Sequence, residues 1–142
     1  MMAFSAFELS VLAEFADIYG EQVPDLVAQL DAATFTRREN TGGGFFTEFT
    51  VDHSIAPVSC LSPIGGLMVM LDGIDEGIDL LLFVNDGYAS RLEGHSAAGE
   101  DTSSIDFAIL PRLPITLRQS PLDDQTAAFL AALRMTPFRR RQ

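Results

Sequence analysis

The sequence predicts an α+β fold with two N-terminal helices, a mostly antiparallel sheet of about six strands and one C-terminal helix. Apolar residues recur at helical spacing near both ends of the chain, and between these segments they recur with a period of two. The 142 residues, 47% of them hydrophobic, are near the usual size of one domain with one core. We therefore expect a single domain over residues 1–142, with a flexible basic tail over about 135–142.

The two N-terminal helices have clear start and stop signals. Ser5 and Glu8 have the spacing of a capping box, in which each side chain accepts a hydrogen bond from the other residue's backbone N–H, and Gly20 is a typical helix end. Pro24 predicts the start of a second helix, because the first turn does not use the missing N–H. Val27 is expected among the buried residues of this helix.

The middle of the chain has strand signals. Aromatic and β-branched residues alternate with polar ones from Phe45 to Val51, and Asp86-Gly87 is a typical hairpin turn. The last helix is predicted to begin at Ser120, followed by proline and acidic residues. The predicted strands cover 35–40, 45–51, 56–61, 67–71, 78–84, 88–92 and 105–110, and the proline-containing stretch 111–118 is expected at an edge or in an extended linker.

The three consecutive glycines at 42–44 could form a phosphate-binding loop or a turn. A phosphate-binding glycine loop follows a strand and opens a helix. Here the glycines precede the strand-like stretch "FFTEFTV", and no complete nucleotide-binding motif is present. The sequence therefore predicts a hairpin or a β-bulge at this position.

The charge is unevenly distributed. All nine basic residues are arginine, and residues 1–111 contain 18 acidic residues and three arginines, a net charge of −15. Residues 112–142 contain six arginines and two aspartates, a net charge of +4. A solvated acidic surface or a basic protein partner explains this distribution, and nucleic acid is not expected as a partner. The arginine-rich tail is expected to fold back onto the acidic body, or onto that of a dimer partner.

Several expectations concern location and cofactors. The apolar runs are too short to cross a membrane, and the first 20 residues lack the basic residues of a secretory signal. Cys60 is the only cysteine, which excludes an internal disulfide and a zinc site built from cysteines. The two histidines, His53 and His95, lack the spacing of metal ligands. We expect a cytoplasmic protein without membrane association, metal or cofactor.

The stretch "SRLEGHS" at 90–96 contains the candidate catalytic residues. Glu93 and His95 are two positions apart and share one face of a continuing strand, where they can act as an acid–base pair. Arg37 and Arg38, followed by Glu39, point to opposite faces of an extended segment, so one arginine can reach a carboxylate such as Glu93. These five residues are the candidate ligand- or partner-binding residues. The alternative is that Glu93 forms a structural ion pair with an arginine while His95 is solvated.

Cys60 is expected to be a buried apolar residue.

Two stretches, "RENTGGGFFTEF" and "LLLFVNDGYASRLEG", resemble a pattern in small uncharacterised bacterial proteins. In that pattern T-G-x-G-F-[FY]-T precedes an apolar strand, a D-G turn and L-E-G. Some proteins of this kind are regarded as immunity or partner-binding proteins, so the resemblance implies a non-enzymatic, acidic protein-binding domain. Acidic chaperones of secretion systems are also similar in size and charge, although their usual element order starts with a single helix.

Two other hypotheses remain open at this point. The first is a small enzyme or ligand-binding domain with a pocket near Glu93, His95, Arg37 and Arg38. The second is a homodimer, because a sheet with helices only at the chain ends can leave one face uncovered. The residues expected on such a dimer surface are Phe46, Phe49, Met68 and Met70.

Overall fold

Two helices lie against one face of a six-stranded antiparallel sheet in residues 3–117, the part of the chain that this computed structural model describes. The helices are α1 (Ala6–Tyr19) and α2 (Pro24–Asp31). The strands are β1 (Thr34–Asn40), β2 (Gly44–Thr50), β3 (Ile64–Leu71), β4 (Ile74–Asn85), β5 (Tyr88–Ser96) and β6 (Ile115–Leu117). The predicted α+β class is confirmed for these residues, and the predicted C-terminal helix and basic tail lie outside them.

The predicted capping box starts α1. The Glu8 N–H donates to Ser5 Oγ at 3.0 Å, and the Ser5 N–H donates to Glu8 Oε1 at 2.7 Å. Pro24 starts α2, as predicted, and Val27 is 37% exposed. The expectation that Val27 is buried was therefore wrong, because Leu26 is the residue that enters the core and the next residue of a helix points about 100° away.

The strand order across the sheet is β1-β2-β5-β4-β3-β6. On β2, Phe45, Thr47 and Phe49 are buried and alternate with the less buried Phe46 and Glu48, as the period of two predicts. The core lies between the buried face of the sheet and the two helices. Its largest fully buried apolar side chains are Phe7, Phe15, Leu26, Phe45, Ile64, Leu67, Ile78, Leu80, Leu82 and Leu92.

The hairpin and glycine turns agree with the sequence prediction. Asp86 and Gly87 have φ values of 53° and 88° between the paired ends of β4 and β5, which is the backbone of a type I′ turn. The glycine triplet connects β1 to β2, and Gly42 has a φ of 88°. The Ser96 N–H donates to the Gly43 carbonyl at 2.8 Å, so this turn packs against the end of β5.

The predicted strand at 56–61 is instead a loop. Gln29, fully buried, organises it: Gln29 Nε2 donates to the carbonyls of Ala56 and Gly87, each at 3.0 Å. Gln29 Oε1 accepts from the Ala89 N–H at 2.9 Å. The loop backbone bonds to this side chain and to the β4–β5 turn, and Pro57 has no N–H to offer a neighbouring strand.

The predicted strand at 105–110 is also wrong, because these residues form turns. The Asp106 side chain accepts from the Ala108 N–H at 3.0 Å, which closes a local turn instead of a strand ladder. Phe107 is 2% exposed, and its ring stacks on that of Phe45 with the centroids 4.6 Å apart. The apolar residues of this stretch therefore anchor a loop to the core.

Candidate functional site

The face of the sheet opposite the two helices, here called the open face, carries most of the charged candidate residues. Strand β5 continues through Ser96, four residues beyond its predicted end, because it pairs with β2 and β4 over this length. Glu93 and His95 are therefore on a strand and on one face. Their side chains meet, with Glu93 Oε1 2.9 Å from His95 Nε2.

The open face holds a charged band of six side chains in continuous contact across β1, β2 and β5. The band runs in the order Glu39, Arg37, Glu48, Arg91, Glu93 and His95. Its successive N–O distances are 3.5, 2.8, 2.6, 2.9 and 2.9 Å. Strand register places Arg37, Glu48 and Arg91 directly opposite one another, so cross-strand pairing builds the centre of the band.

Glu48 is the centre of the charged band. Hydrogen bonds from Arg91 and then from Arg37 hold the pKa of the Glu48 carboxyl below its ordinary value. The same hydrogen bond raises the pKa of Arg91, with a further contribution from Glu93. Phe46 lies beneath both guanidinium groups, whose carbons are 4.8 Å (Arg37) and 4.4 Å (Arg91) from its ring centroid. Ion pairs and cation–π contacts within the band therefore hold its charged side chains in place.

Arg38 lies on the other face of the sheet, as expected from its position next to Arg37. It binds the fully buried Glu8 with two hydrogen bonds, from Nε to Oε2 at 2.7 Å and from Nη2 to Oε1 at 2.6 Å. Glu8 also accepts a hydrogen bond from the hydroxyl of Thr47. The buried carboxylate that an arginine reaches is thus Glu8, and the partner of Glu93 is Arg91.

The structure brings Arg37, Glu39, Glu93 and His95 together in the charged band, and the sheet separates Arg38 from them. A shallow groove of about 570 Å³ lies beside the band, and its lining includes Glu48 and Arg91 but neither Glu93 nor His95. His95 is 56% exposed. The four residues of the enzyme hypothesis do not converge in one pocket. Sequence reasoning missed Glu48 and Arg91, although both alternate with apolar residues on predicted strands.

The two helices, here called the helical layer, carry an acidic surface on the side of the protein opposite the charged band. Its carboxylates outside the core are Glu14, Asp17, Glu21, Asp25 and Asp31, and the first basic residue of the chain is Arg37. Between α1 and α2 is a groove of about 360 Å³, here called the helical groove. Small or apolar side chains and glycine line its floor, and Asp17 and Glu21 also line it. Its lining residues are Ala13, Ala16, Asp17, Gly20, Glu21 and Val27.

Cys60 lies in the loop between β2 and β3, partly buried against the core. Burial raises the pKa of its thiol from the ordinary 9.0 to about 11. A raised pKa leaves very little thiolate near neutral pH, and the thiolate is the nucleophilic form. This environment is that of a structural thiol.

We expect native Cys60 to react with iodoacetamide at pH 8 about 100-fold more slowly than the same thiol in denaturant, since two pKa units change the thiolate fraction by about that factor. The Cys60 thiol loses its proton at a lower pH in the unfolded chain than in the folded protein. This difference lowers the free energy of unfolding as pH rises from 9 to about 11, and it has no effect below pH 9. Alkylation followed by mass spectrometry gives the rates, with Cys60→Ser as the blank. Equal native and denatured rates would contradict the burial effect.

Within residues 3–117, no group of three or more histidine, cysteine or acidic side chains is arranged to hold a metal ion. None of the helices in the same range is both long and apolar enough to cross a membrane.

The Phe49 side chain, expected on a dimer surface, is instead in the core at 3% exposure.

Comparisons with protein-family models, with curated proteins and with solved structures found no match to this chain.

Proposed function

We propose that the protein is a non-enzymatic binding domain that docks a basic protein segment on the acidic surface of its two helices. The observation that carries this proposal is the distribution of charge. Arg37 and Arg91 pair with glutamates of the sheet, and Arg38 pairs with the buried Glu8, so these ion pairs do not involve Asp17 and Glu21 in the helical groove. The negative potential of the helical layer attracts positively charged partners and raises their association rate.

The helical groove supplies a contact surface for such a partner. Its floor of alanine and glycine allows close approach, and Val27 adds a 37% exposed apolar side chain. Asp17 lies in the last turn of α1, and Glu21 follows the end of this helix four residues later. Both line the helical groove, where they can pair with arginine or lysine of a partner. An amphipathic segment with basic flanks fits this combination. The resemblance to immunity and partner-binding proteins agrees with it.

The test uses the partner purified from the native host. After pull-down and identification, calorimetry should give a dissociation constant that rises steeply between low and physiological salt, because screening weakens exposed charge pairs. The variant Asp17→Asn/Glu21→Gln should bind at least about fivefold more weakly at low salt, a loss typical of two exposed charge contacts. Asp72→Asn/Asp86→Asn, in two turns away from the groove, removes the same charge and should bind like the wild type. A partner that is not basic, salt-independent binding or equal losses in both variants would contradict the proposal.

One observation favours the alternative of a small enzyme, namely the contact between Glu93 and His95. Their position on an exposed strand, with Arg91 on the other oxygen of Glu93, supports a structural ion pair instead. The secretion-chaperone alternative agrees with the acidic charge, but α1 and α2 are consecutive at the start of this chain. We therefore retain the binding domain as the proposal.

Two finer expectations belong to the same proposal. The segment from Ser120 forms a helix, supported by the Ser120 cap, Pro121 in the first turn and acidic residues near its positive end. We infer that the protein acts in the cytoplasm, supported by its single cysteine.

A further inference from the structure

The open face carries an apolar strip beside the charged band. The strip consists of Met68, Met70, Leu81 and Phe83, on β3 and β4. Asp79 of β4 lies on the same face, between Met68 and His95. Met70 is 55% exposed, and the other three strip residues are partly buried. Both described helices pack on the opposite face of the sheet. Within residues 3–117 no helix covers this strip, and a sheet with an apolar face needs a second layer.

The described chain ends next to this strip. β6 pairs with β3 at the edge of the sheet, and its last residue, Leu117, is opposite Leu67. The two residues before Leu67 are Gly65 and Gly66, in the register shift opposite Leu81. Neither glycine has a side chain. No side chain of β3 therefore stands between Leu117, where the described chain ends, and Leu81. A segment that follows Leu117 can reach the strip by crossing one strand.

The length of the remaining chain fits the width of the sheet. The predicted helix from Ser120 to Leu133 has 14 residues and is about 21 Å long. The distance from β6 to β2 is four strand spacings, or about 19 Å. A helix that starts near the β6 edge can therefore cross the strip and end near the charged band.

The chemistry of the segment also fits the open face. Residues 118–142 contain five arginines and two aspartates, and the arginines include 139–141 at the end of the chain. Phe129, Leu130 and Leu133 share one face of the predicted helix. The carboxylates of the band, on Glu39, Glu48 and Glu93, outnumber its two arginines.

We propose that residues 118–142 pack as a helix on the open face, with Phe129, Leu130 and Leu133 on the apolar strip and the terminal arginines at the band's carboxylates. This interaction completes a second helical layer and leaves the helical groove as the accessible binding surface. It is independent of the proposed function, because it rests on the strip, the exit of the chain and the length and charge of the segment.

Cross-linking in the full chain tests the proposal. In a Cys60→Ser background, Leu81→Cys with Leu130→Cys should form an intramolecular cross-link with a short bis-maleimide. We expect it to form at least tenfold faster than the cross-link between Val27→Cys, in the helical groove, and the same Leu130→Cys. Equal rates would overturn the proposal. Cross-linked dimers as the main product would also overturn it, since they would assign the open face to a second copy of the chain.

A matched pair of substitutions provides a second measurement. Leu130→Asp places a charge on the apolar face of the predicted helix and should lower the melting temperature by several degrees and increase binding of a hydrophobic dye. Ala131→Asp adds the same charge on the polar side of that helix and should leave both close to the wild type. Similar values for the two variants would show that the segment does not cover the strip.

Deletion of 138–142 should lower the melting temperature slightly at low salt only, because salt screens the exposed ion pairs of the terminal arginines.

Discussion

Replacing Gly44 by alanine is expected to unfold the protein or to lower its free energy of unfolding by about 3 kcal/mol or more. Gly44 starts β2 with a φ of 153°, and a Cβ at this position would be 1.9 Å from the carbonyl oxygen of Gly94 on β5. Neither backbone can move away without breaking the pairing of β2 with β5. Denaturant unfolding followed by circular dichroism measures the loss.

The neighbouring Gly43 is the matched control. A Cβ there meets no described atom within 4 Å, so Gly43→Ala should be close to wild type. Gly94→Ala should be as damaging as Gly44→Ala, because its Cβ would be 2.4 Å from the ring of Phe45. A stable, fully folded Gly44→Ala protein would show that β2 and β5 are not this close.

The second large effect is expected at the buried ion pair. Glu8→Ala should cost about 3 kcal/mol, because it leaves the partly buried guanidinium of Arg38 without its carboxylate partner. It also removes the capping hydrogen bond to Ser5 and the acceptor for the Thr47 hydroxyl. Arg38→Ala should be similarly damaging, since it leaves a fully buried carboxylate uncompensated.

A double-mutant cycle separates the pair from its surroundings. Glu8→Leu/Arg38→Met should be less destabilised than the sum of Glu8→Leu and Arg38→Met, because neither charge is then left alone. Arg37→Ala is the control on the open face, where the arginine is 51% exposed, and should have only a small effect. Additive losses in the cycle would show that Glu8 and Arg38 are not coupled.

The sequence predicts local structure well where one short segment determines it. The capping box, the Pro24 start, the Asp86-Gly87 turn and the glycine turn are all present as predicted. Each depends on backbone preferences and hydrogen bonds within a few residues. The alternation on β2 also gave the correct faces, since one side of the sheet packs on the helices.

The two incorrect strands failed for a tertiary reason. The stretch at 56–61 has apolar residues, but the distant Gln29 holds its backbone in a loop. The stretch at 105–110 is apolar because Phe107 packs on Phe45. A period of two does not distinguish a strand from a loop anchored by apolar side chains.

The candidate site was predicted in part. Arg37 and Arg38 do point to opposite faces, and Glu93 and His95 do share one. The partners of Arg37 and Arg38 come from β2 and α1, through the pairing of β1 with β2 and the packing of α1 on the sheet. Local periodicity does not show which residues such long-range contacts bring together, so Glu48 and the second role of Glu8 were not predicted. Arg91 was missed although it lies two residues before Glu93 on the same strand.

The two edge strands of the described sheet affect how the protein can meet other chains. β1 has Arg37, Arg38 and Glu39 near its centre, and the described part of β6 follows Pro114. Charged side chains and nearby proline are common means by which proteins block edge-to-edge strand pairing. Both edges are thus poor templates for an added strand, which protects the sheet against open-ended aggregation.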